Sequence, residues 1–444
     1  MSRDENLRAG AGAADVWGEL PEGWIWCPLS EAVEFTSKPR GLDLEHSKVP
    51  FVEMASIYEN GERRCEYELR TLQEIRSGTF FTPGDILLAK ITPCLENGKI
   101  TLTDHIPGDF GYATTEVYTL RPNTPRLLTS HLYNCLSEPA NRAELAARMT
   151  GTTGRKRLPK DVLSTLPIPL PPLAEQRAIA AVLDAVQRAR RAAQDAAQAL
   201  RTLKRSLMQH LFTYGPVPLN QAGRVTRVQT EVGEIPAHWE VVRLGEVADA
   251  KGGTSFPNRY QGERSGAYPF YKVSDMTLPG NETEMKAANN YVSETTRHAL
   301  RARVFPPRST IFPKVGGAVY TDKKRMLSKP SIVDNNVMAV SVHDSARCVP
   351  EFLYCWFLSV RLRSFSNPGP LPSITVATVE SSWLPLPPLP EQRQIAAILD
   401  TVDRRIAAEE DRADALEALY RSLLHHLMTG RVRVDPQQIL EETS

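Results

Sequence analysis

Apolar residues recur at steps of three and four along two long stretches of the chain. Such steps place side chains on one face of an α-helix, so we predict two long amphipathic helices. The first is expected over Glu175 to Phe212. The apolar positions are Ile179, Val182, Leu183, Val186, Ala189, Ala193, Ala196, Leu200, Leu203, Leu207 and Leu211 in the first stretch, and Ile395, Ile398, Leu399, Val402, Ile406, Ala413, Leu416, Leu419, Tyr420, Leu423 and Leu427 in the second.

A Pro-rich motif precedes each predicted helix. Residues 169–177 read PLPPLAEQR, and residues 385–393 read PLPPLPEQR. Proline lacks the backbone N–H and disfavours a helical residue before it, so each helix is expected to begin after the proline run of this motif. The recurrence indicates two similar halves, each a variable segment followed by a matching helix.

The first predicted helix would be roughly 57 Å long at ~1.5 Å per residue. The apolar face of a helix of that length is too long to be covered by the variable segment that precedes it. We therefore expect the two helices to pack against each other, antiparallel and related by a pseudo-twofold repeat. The alternative is two ordinary amphipathic helices within separate domains.

In the segment that precedes each helix, short β-prone runs alternate with Gly, Pro, Asn and Asp turn signals. We call residues 20–166 the first head and residues 235–383 the second head, and predict a mixed α+β fold for each. The predicted strands are Val49 to Ile57, Asp85 to Ile91, Glu116 to Leu120, Phe270 to Val273, Ser309 to Val315 and Asn336 to Val342, and the predicted helices are Thr129 to Met149 and Pro350 to Phe365.

The full expected organisation is α+β, with two mixed α/β domains separated by two long antiparallel coiled-coil helices. Its segments are a tail (1–19), the first head (20–166), a Pro-rich segment with the central helix (167–215), a linker (216–234), the second head (235–383), a Pro-rich segment with the C-terminal helix (384–430) and a second tail (431–444).

Composition narrows the functional classes. The 444 residues include 53 Lys and Arg against 52 Asp and Glu, a net charge of +1, so any nucleic-acid site must be a local patch. The six cysteines include no C-x-x-C pair, which favours reduced thiols and disfavours a zinc ribbon. No apolar run approaches ~18 residues, and the first residues lack a signal-peptide pattern, so we expect a cytoplasmic protein.

Positive charge concentrates locally in both heads. The run 151–157 reads GTTGRKR, and it combines glycines and hydroxyls with cations that suit phosphate oxygens. The candidate DNA contacts there are Thr152, Thr153, Arg155, Lys156, Arg157 and Lys160. The second head offers Lys314, Lys323, Lys324 and Arg325. A charge run is also compatible with a solvated surface without a ligand.

Catalytic motifs are scarce. Asp275, Glu284 and Lys286 form the nearest approach to a Mg²⁺-dependent nuclease site, with two carboxylates and a lysine. This pattern defines the alternative function, a standalone Mg²⁺-dependent endonuclease. A second alternative is a coiled-coil scaffold without a role on DNA. Isolated histidines such as His210 and His426 fit helix caps better than a metal site.

Ordered motifs across nearly the whole chain resemble the specificity subunit of type I restriction-modification enzymes. In the first head they are residues 49–56 (VPFVEMAS), 90–99 (KITPCLENGK), 111–118 (GYATTEVY) and the 151–157 loop, followed by the Pro-rich motif. The second head matches through residues 252–255 (GGTS) and 268–275 (YPFYKVSD), but residues 367–373 (NPGPLPS) replace the basic loop. Within these motifs we add Lys90, Thr92, Lys99 and Lys272 as candidate DNA contacts.

The resemblance implies a non-catalytic subunit whose two target-recognition domains each read one half of an asymmetric bipartite site in double-stranded DNA. The helices would set the unread gap and dock two methyltransferase (modification) subunits. Those partners would bind S-adenosylmethionine, and motor-nuclease (restriction) subunits would bind ATP and Mg²⁺. No cofactor or metal is expected on this chain.

Overall fold

The computed structural model describes residues 19–40, 48–59, 63–152, 154–367, 371–437 and 439. The chain forms two compact units: the first is Met1–Gln194 with Asp411–Ser444, and the second is Asp195–Glu410. The predicted long helices are confirmed as Leu173–Tyr214 and Leu389–Met428. Each long helix therefore contributes one half to each unit.

The first unit is built around two four-stranded sheets. One sheet has the strand order Val33–Phe35, Val117–Pro122, Ile86–Ala89, Ile100–Leu102, and all its pairs are antiparallel. The other has the order Glu68–Arg70, Val49–Val52, Gly111–Ala113, Thr79–Phe81. The remaining elements are strands Ile25–Pro28, Pro167–Leu170, Thr150–Thr152 and Arg155–Arg157, helices Leu29–Ala32, Thr129–Ser137, Pro139–Ala147 and Lys160–Ser164, and the 3-10 turn Met54–Ser56.

The second unit has a five-stranded sheet in the order Ala248–Gly252, Val337–Val342, Thr310–Pro313, Arg325–Leu327, Glu284–Met285, and a three-stranded sheet in the order Tyr291–Val292, Tyr268–Tyr271, Ile332–Val333. Its other strands are Arg227–Thr230, Gly233–Pro236, Glu240–Arg243 and Trp383–Leu386. Its shorter helices are Glu294–Leu300, Pro350–Ser359 and Val376–Glu380, with 3-10 turns at Leu219–Arg224, Leu244–Glu246, Asn258–Tyr260, Val273–Thr277, Gly316–Thr321 and Leu362–Phe365.

The long helices pair antiparallel within each unit. In the first unit the Arg190 guanidinium bonds Glu417, and Tyr420 shares a hydrophobic core with Leu183. In the second unit the Lys204 ammonium lies 2.6 and 2.7 Å from the two carboxylate oxygens of Asp403. Arg201, about one turn before Lys204, bonds Glu410, about two turns after Asp403 on the partner helix. Residue numbers therefore rise along one helix as they fall along the other, which confirms the predicted direction.

The repeated glutamate fastens each helix start to its head. The Glu175 carboxylate accepts a hydrogen bond from the indole N–H of Trp24 at 3.0 Å, and Glu391 accepts one from Trp239 at 2.9 Å. Both tryptophans are buried, so each indole N–H needs an acceptor inside the protein. This contact explains why a tryptophan and a glutamate recur in both halves.

The repeated glutamine completes the attachment. The Gln176 amide donates to the carbonyl of Pro171 at 2.8 Å, and its oxygen accepts the N–H of Leu128, the residue that precedes helix Thr129–Ser137. Gln392 repeats both bonds, with Pro387 at 2.8 Å and with Val349 at 2.8 Å. One buried side chain thus satisfies the Pro-rich segment and the start of a head helix together.

Two predicted helices end earlier than expected. The helix predicted from Thr129 to Met149 is interrupted at Glu138, because Pro139 cannot donate a backbone hydrogen bond. The Glu138 carboxylate instead accepts the N–H groups of Ala140 and Asn141 and begins a new helix. The helix predicted from Pro350 to Phe365 ends at Ser359.

No helix among the residues that the structure describes combines the length and the apolar character needed to cross a membrane.

Candidate nucleic-acid interface

Lys90 and Lys314 occupy the same backbone position in the two heads. Each follows a buried central strand, and each carbonyl accepts a hydrogen bond at 2.8 Å, from the Leu158 N–H in the first head and from the Ile374 N–H in the second. We call residues 155–158 and 367–374, which contain these donors, the crossing segments. The backbone N–H of Lys90 donates to the backbone carbonyl of Glu116 at 3.0 Å, and that of Lys314 donates to the backbone carbonyl of Asn336 at 2.9 Å. The two heads therefore share a scaffold at this point, and differences between them lie in the side chains around it.

In the first head Lys90 lies over an aromatic pair. Its ammonium is 4.9 Å from the ring centroid of Tyr118, and Tyr118 packs edge-on against Phe35 at 5.4 Å. The Lys160 ammonium lies 4.1 Å from the Phe35 ring centroid. Partial burial lowers the pKa of the Lys90 ammonium. Sequence reasoning missed Phe35 and Tyr118 because only the pairing of their strands brings them beneath the lysines.

Beside this pair stands the basic hairpin, which we define as strands Thr150–Thr152 and Arg155–Arg157. Gly154 has φ 76°, the left-handed conformation that glycine adopts without strain. The Arg155 and Lys156 side chains are exposed, as is Thr152. Arg157 is exposed as well, but its guanidinium donates two hydrogen bonds to Glu116, at 2.6 and 2.7 Å. Thr153 lies outside the described residues.

Two other candidates of the first head have partners within it. The Thr92 hydroxyl donates to Glu96 at 2.8 Å, while the Thr92 N–H bonds the Lys156 carbonyl and so joins this loop to the basic hairpin. The Lys99 ammonium donates to the carbonyl of Met54 at 2.9 Å. The structure thus brings Lys90, Thr92, Lys160 and the basic hairpin together and turns Lys99 toward the backbone.

The second head has different chemistry around Lys314. The Lys314 ammonium lies against Gly252, where a Cβ atom would come within 2.7 Å of it. The crossing segment places Ser373 and Pro372 where the first head has Arg157 and Lys156. Lys272 donates to the side chain of Gln261 at 3.0 Å, and Lys323 is half-buried. In the crossing segment of the second head, residues 368–370 lie outside the described residues.

Lys324 and Arg325 serve the fold of the second head. Lys324 is only 2% exposed, and its ammonium bonds the Val360 carbonyl and the Asp322 carboxylate, each at 2.8 Å. Arg325 donates to the carbonyls of Lys324 and Met276, at 2.8 and 3.2 Å. Burial lowers the pKa of both groups. We therefore leave these two cations out of the interface.

Asp275, the centre of the alternative nuclease site, is fully buried and caps a turn. One carboxylate oxygen accepts the Lys272 N–H at 2.7 Å, and the other accepts the Asn289 amide at 2.8 Å. Both oxygens are thus occupied by the protein. Across the described ranges, no cluster of three or more His, Cys, Asp or Glu side chains could hold a metal ion.

Comparison with known proteins assigns the family. The model of the type I restriction modification DNA specificity domain matches residues 22–197 and 236–418. The chain belongs to this family. Each matched region covers nearly all of one head and more than half of the helix that follows it, which is the repeat unit predicted from the Pro-rich motif.

Named relatives of this family differ in how much of the chain they cover. The type I restriction enzyme EcoEI specificity subunit of Escherichia coli is 36% identical over 162 residues, which is 36% of this chain and 27% of that relative. The MjaX relative of Methanocaldococcus jannaschii, provisionally a type I restriction enzyme specificity subunit, is 24% identical over 438 residues, 94% of this chain and 95% of that protein.

A solved structure of the family shares the fold. The type I restriction-modification system S subunit from M. genitalium superposes with a TM-score of 0.56 at 15% identity and covers 92% of this chain and 98% of that chain. At this identity the match shows the fold alone, and it confirms the predicted fold of two mixed α/β heads with two long helices.

Proposed function

We propose that this chain is the specificity subunit of a type I restriction-modification complex and that each head reads one half of a bipartite site in double-stranded DNA. One observation carries the proposal: Lys90 and Lys314 occupy equivalent backbone positions in the two heads, and the side chains around them differ. Two equal scaffolds with unequal surfaces suit a target whose halves differ in sequence. The family supports DNA recognition as the common task.

The first head would hold its half-site through the phosphate backbone. Arg155 and Lys156 are exposed, and the structure gives neither an ion pair within the described residues. Contacts of this kind position a protein on DNA without specifying bases. Side chains on the same face, with Lys90, Thr92 and Lys160 nearest, would complete the contact. Bidentate base contacts are worth about 1–3 kcal/mol each, so three or four per head give useful selectivity.

The long helices would set the unread gap and dock modification subunits. Lys204 with Asp403 and Arg190 with Glu417 hold the two helices in one register. In this proposal the chain itself is non-catalytic, since the Asp275 carboxylate at the centre of the alternative nuclease site is engaged by the fold. Modification subunits would supply S-adenosylmethionine, and restriction subunits would supply ATP and Mg²⁺.

The test is the salt dependence of DNA binding by the full chain with its modification subunits. Replacing Arg155 and Lys156 with alanine should weaken binding to all sequences and reduce the slope of log K against log salt by about 2, since each phosphate contact contributes about 0.9. Arg188→Ala, an exposed cation on the first long helix, is the matched control. An unchanged slope in the double variant would remove the hairpin from the interface.

A second measurement separates the proposal from the nuclease alternative. The purified chain alone, incubated with plasmid and Mg²⁺, should neither cleave nor modify DNA. Cleavage that disappears in Glu284→Gln would instead establish the nuclease.

A further inference from the structure

In the first unit an arginine from the head is inserted against the first long helix. The Arg63 guanidinium pairs with Asp184 of that helix and donates to the Asn134 side chain at 3.1 Å. It also lies 5.2 Å from the ring centroid of Tyr133. Asn134 and Tyr133 belong to helix Thr129–Ser137, so the Arg63 side chain joins the head helix to the long helix.

The second unit has a threonine where the first has Arg63. The Arg63 carbonyl accepts the N–H of Leu102 at 3.0 Å, and the Thr283 carbonyl accepts the N–H of Met326 at 2.9 Å. Leu102 and Met326 are themselves equivalent, because they pair with Ile86 and Thr310, each four residues before the shared lysine. Thr283 therefore stands at the Arg63 position with a side chain too short to reach the long helix.

An open cleft of about 510 Å³ remains at this place in the second unit. Its walls contain the counterparts of the residues that hold Arg63. Tyr354 and Cys355 lie at the same helix positions, relative to Val349, as Tyr133 and Asn134 relative to Leu128. Asp400 follows Glu391 at the distance at which Asp184 follows Glu175. The carboxylate and the aromatic ring that hold Arg63 thus have counterparts in the cleft, a cysteine replaces Asn134, and Thr283 supplies no guanidinium.

The charges of the cleft favour a cation. Glu284, Glu351, Asp400 and Asp403 line it together with Arg308 and Arg393. Glu351 pairs with Arg308, and Asp403 pairs with Lys204. Within the part of the chain that the structure describes, Asp400 pairs only with the exposed Arg404 of the same helix, a solvated contact that contributes little. Glu284 has no ion pair among the described residues.

We propose that this cleft receives an arginine side chain from a docking modification subunit. The incoming guanidinium would pair with Asp400 and lie over Tyr354, as Arg63 does with Asp184 and Tyr133. The proposal rests on the proposed function, in which the chain docks modification subunits, and it makes the two units unequal: the first carries its own arginine, and the second takes one from the partner.

The experiment uses the reciprocal substitution Thr283→Arg in the full chain. An internal arginine should occupy the cleft and exclude the incoming one, so the Kd for the modification subunit at this site should rise about tenfold or more, the effect of one lost charge-assisted hydrogen bond. Binding is measured by titrating purified modification subunit and by counting bound subunits with mass photometry. Thr283→Ser, which keeps the short side chain, should bind like the parent chain.

Asp400→Asn tests the same site without adding bulk, and it should also weaken docking about tenfold because it removes the carboxylate. DNA binding by each variant reports whether the head is folded. If Thr283→Arg loses DNA binding, the result for Asp400→Asn decides. Parental docking affinity in both variants would overturn the inference and leave the proposed function intact. A parent chain that binds no modification subunit would overturn both.

Discussion

The carboxylate of Glu175 accepts the indole N–H of Trp24 at 3.0 Å across 151 residues of sequence. Arg433 joins the same carboxylate, with nitrogen–oxygen distances of 2.6 and 2.8 Å. In the second unit Glu391 accepts Trp239 at 2.9 Å and His238 at 2.7 Å. The repeated Pro-rich motif is thus explained by attachment: its glutamate is the point at which a head and a helix are fastened together.

Glu175→Ala should destabilise the first unit by about 2–3 kcal/mol, because it leaves a buried indole N–H without an acceptor. Hydrogen exchange of helix Thr129–Ser137 and of the start of the first long helix is the measurement, since it resolves the two units. Exchange in the second unit should stay at the parental rate. Glu391→Ala should give the opposite distribution, and equal effects of either variant on both units would contradict the attachment role.

Arg63→Thr should destabilise the first unit by about 1–3 kcal/mol. The substitution leaves Asp184 without its counter-ion and the Asn134 oxygen without a donor. Burial already raises the pKa of the Asp184 carboxyl, and the Arg63 charge opposes that rise. Urea unfolding provides the free energy, and Arg63→Lys, which retains the charge, should recover part of it. A variant as stable as the parent would show that the insertion adds nothing.

Acid should destabilise the first unit through His131. This side chain is fully buried, its ring nitrogen lies 2.9 Å from the Pro169 carbonyl, and burial lowers its pKa to about 4. The unfolded chain binds a proton near pH 6.5, and the folded chain does not until pH 4. Stability is therefore lost as pH falls through this window, by at most about 1.4 kcal/mol per pH unit.

Replacing His131 with phenylalanine should remove that contribution. The second unit places the buried Phe352 at the same helix position, so the substitution is sterically reasonable. The variant should be less stable than the parent by about 1 kcal/mol at pH 8, since the Pro169 carbonyl loses a donor. Between pH 6.5 and 4 its unfolding free energy should fall less steeply. Parallel pH profiles would rule out His131 as the titrating group.

Shortening both helices tests their role as a spacer. Deleting residues 194–197 and 410–413 removes one turn from each at matched positions of the antiparallel pair. Four residues correspond to roughly 6 Å of helix, or about 2 base pairs of DNA. Methylation mapping should show the same two half-sites with a shorter gap. Changed half-sites at an unchanged gap would count against the spacer.

The local pattern of the sequence predicted most of the scaffold. Steps of three and four predicted both long helices to within two residues at their ends, except for the start of the second. Turn signals located the main strands. The break at Glu138 was readable in principle, since Pro139 cannot donate a backbone bond, but the surrounding apolar pattern continues through it and favours one helix.

By itself, the sequence determined the repeat, the helical stripes and the family motifs, because these depend on the spacing of residues along the chain. Only the tertiary structure decided which polar groups are available. In the folded chain Lys324 is buried, Asp275 caps a turn and Arg63 pairs with Asp184. These surroundings depend on segments that are far away in sequence. The tertiary structure also showed Thr283 at the Arg63 position, an equivalence that strand pairing reveals and that the dissimilar residues conceal.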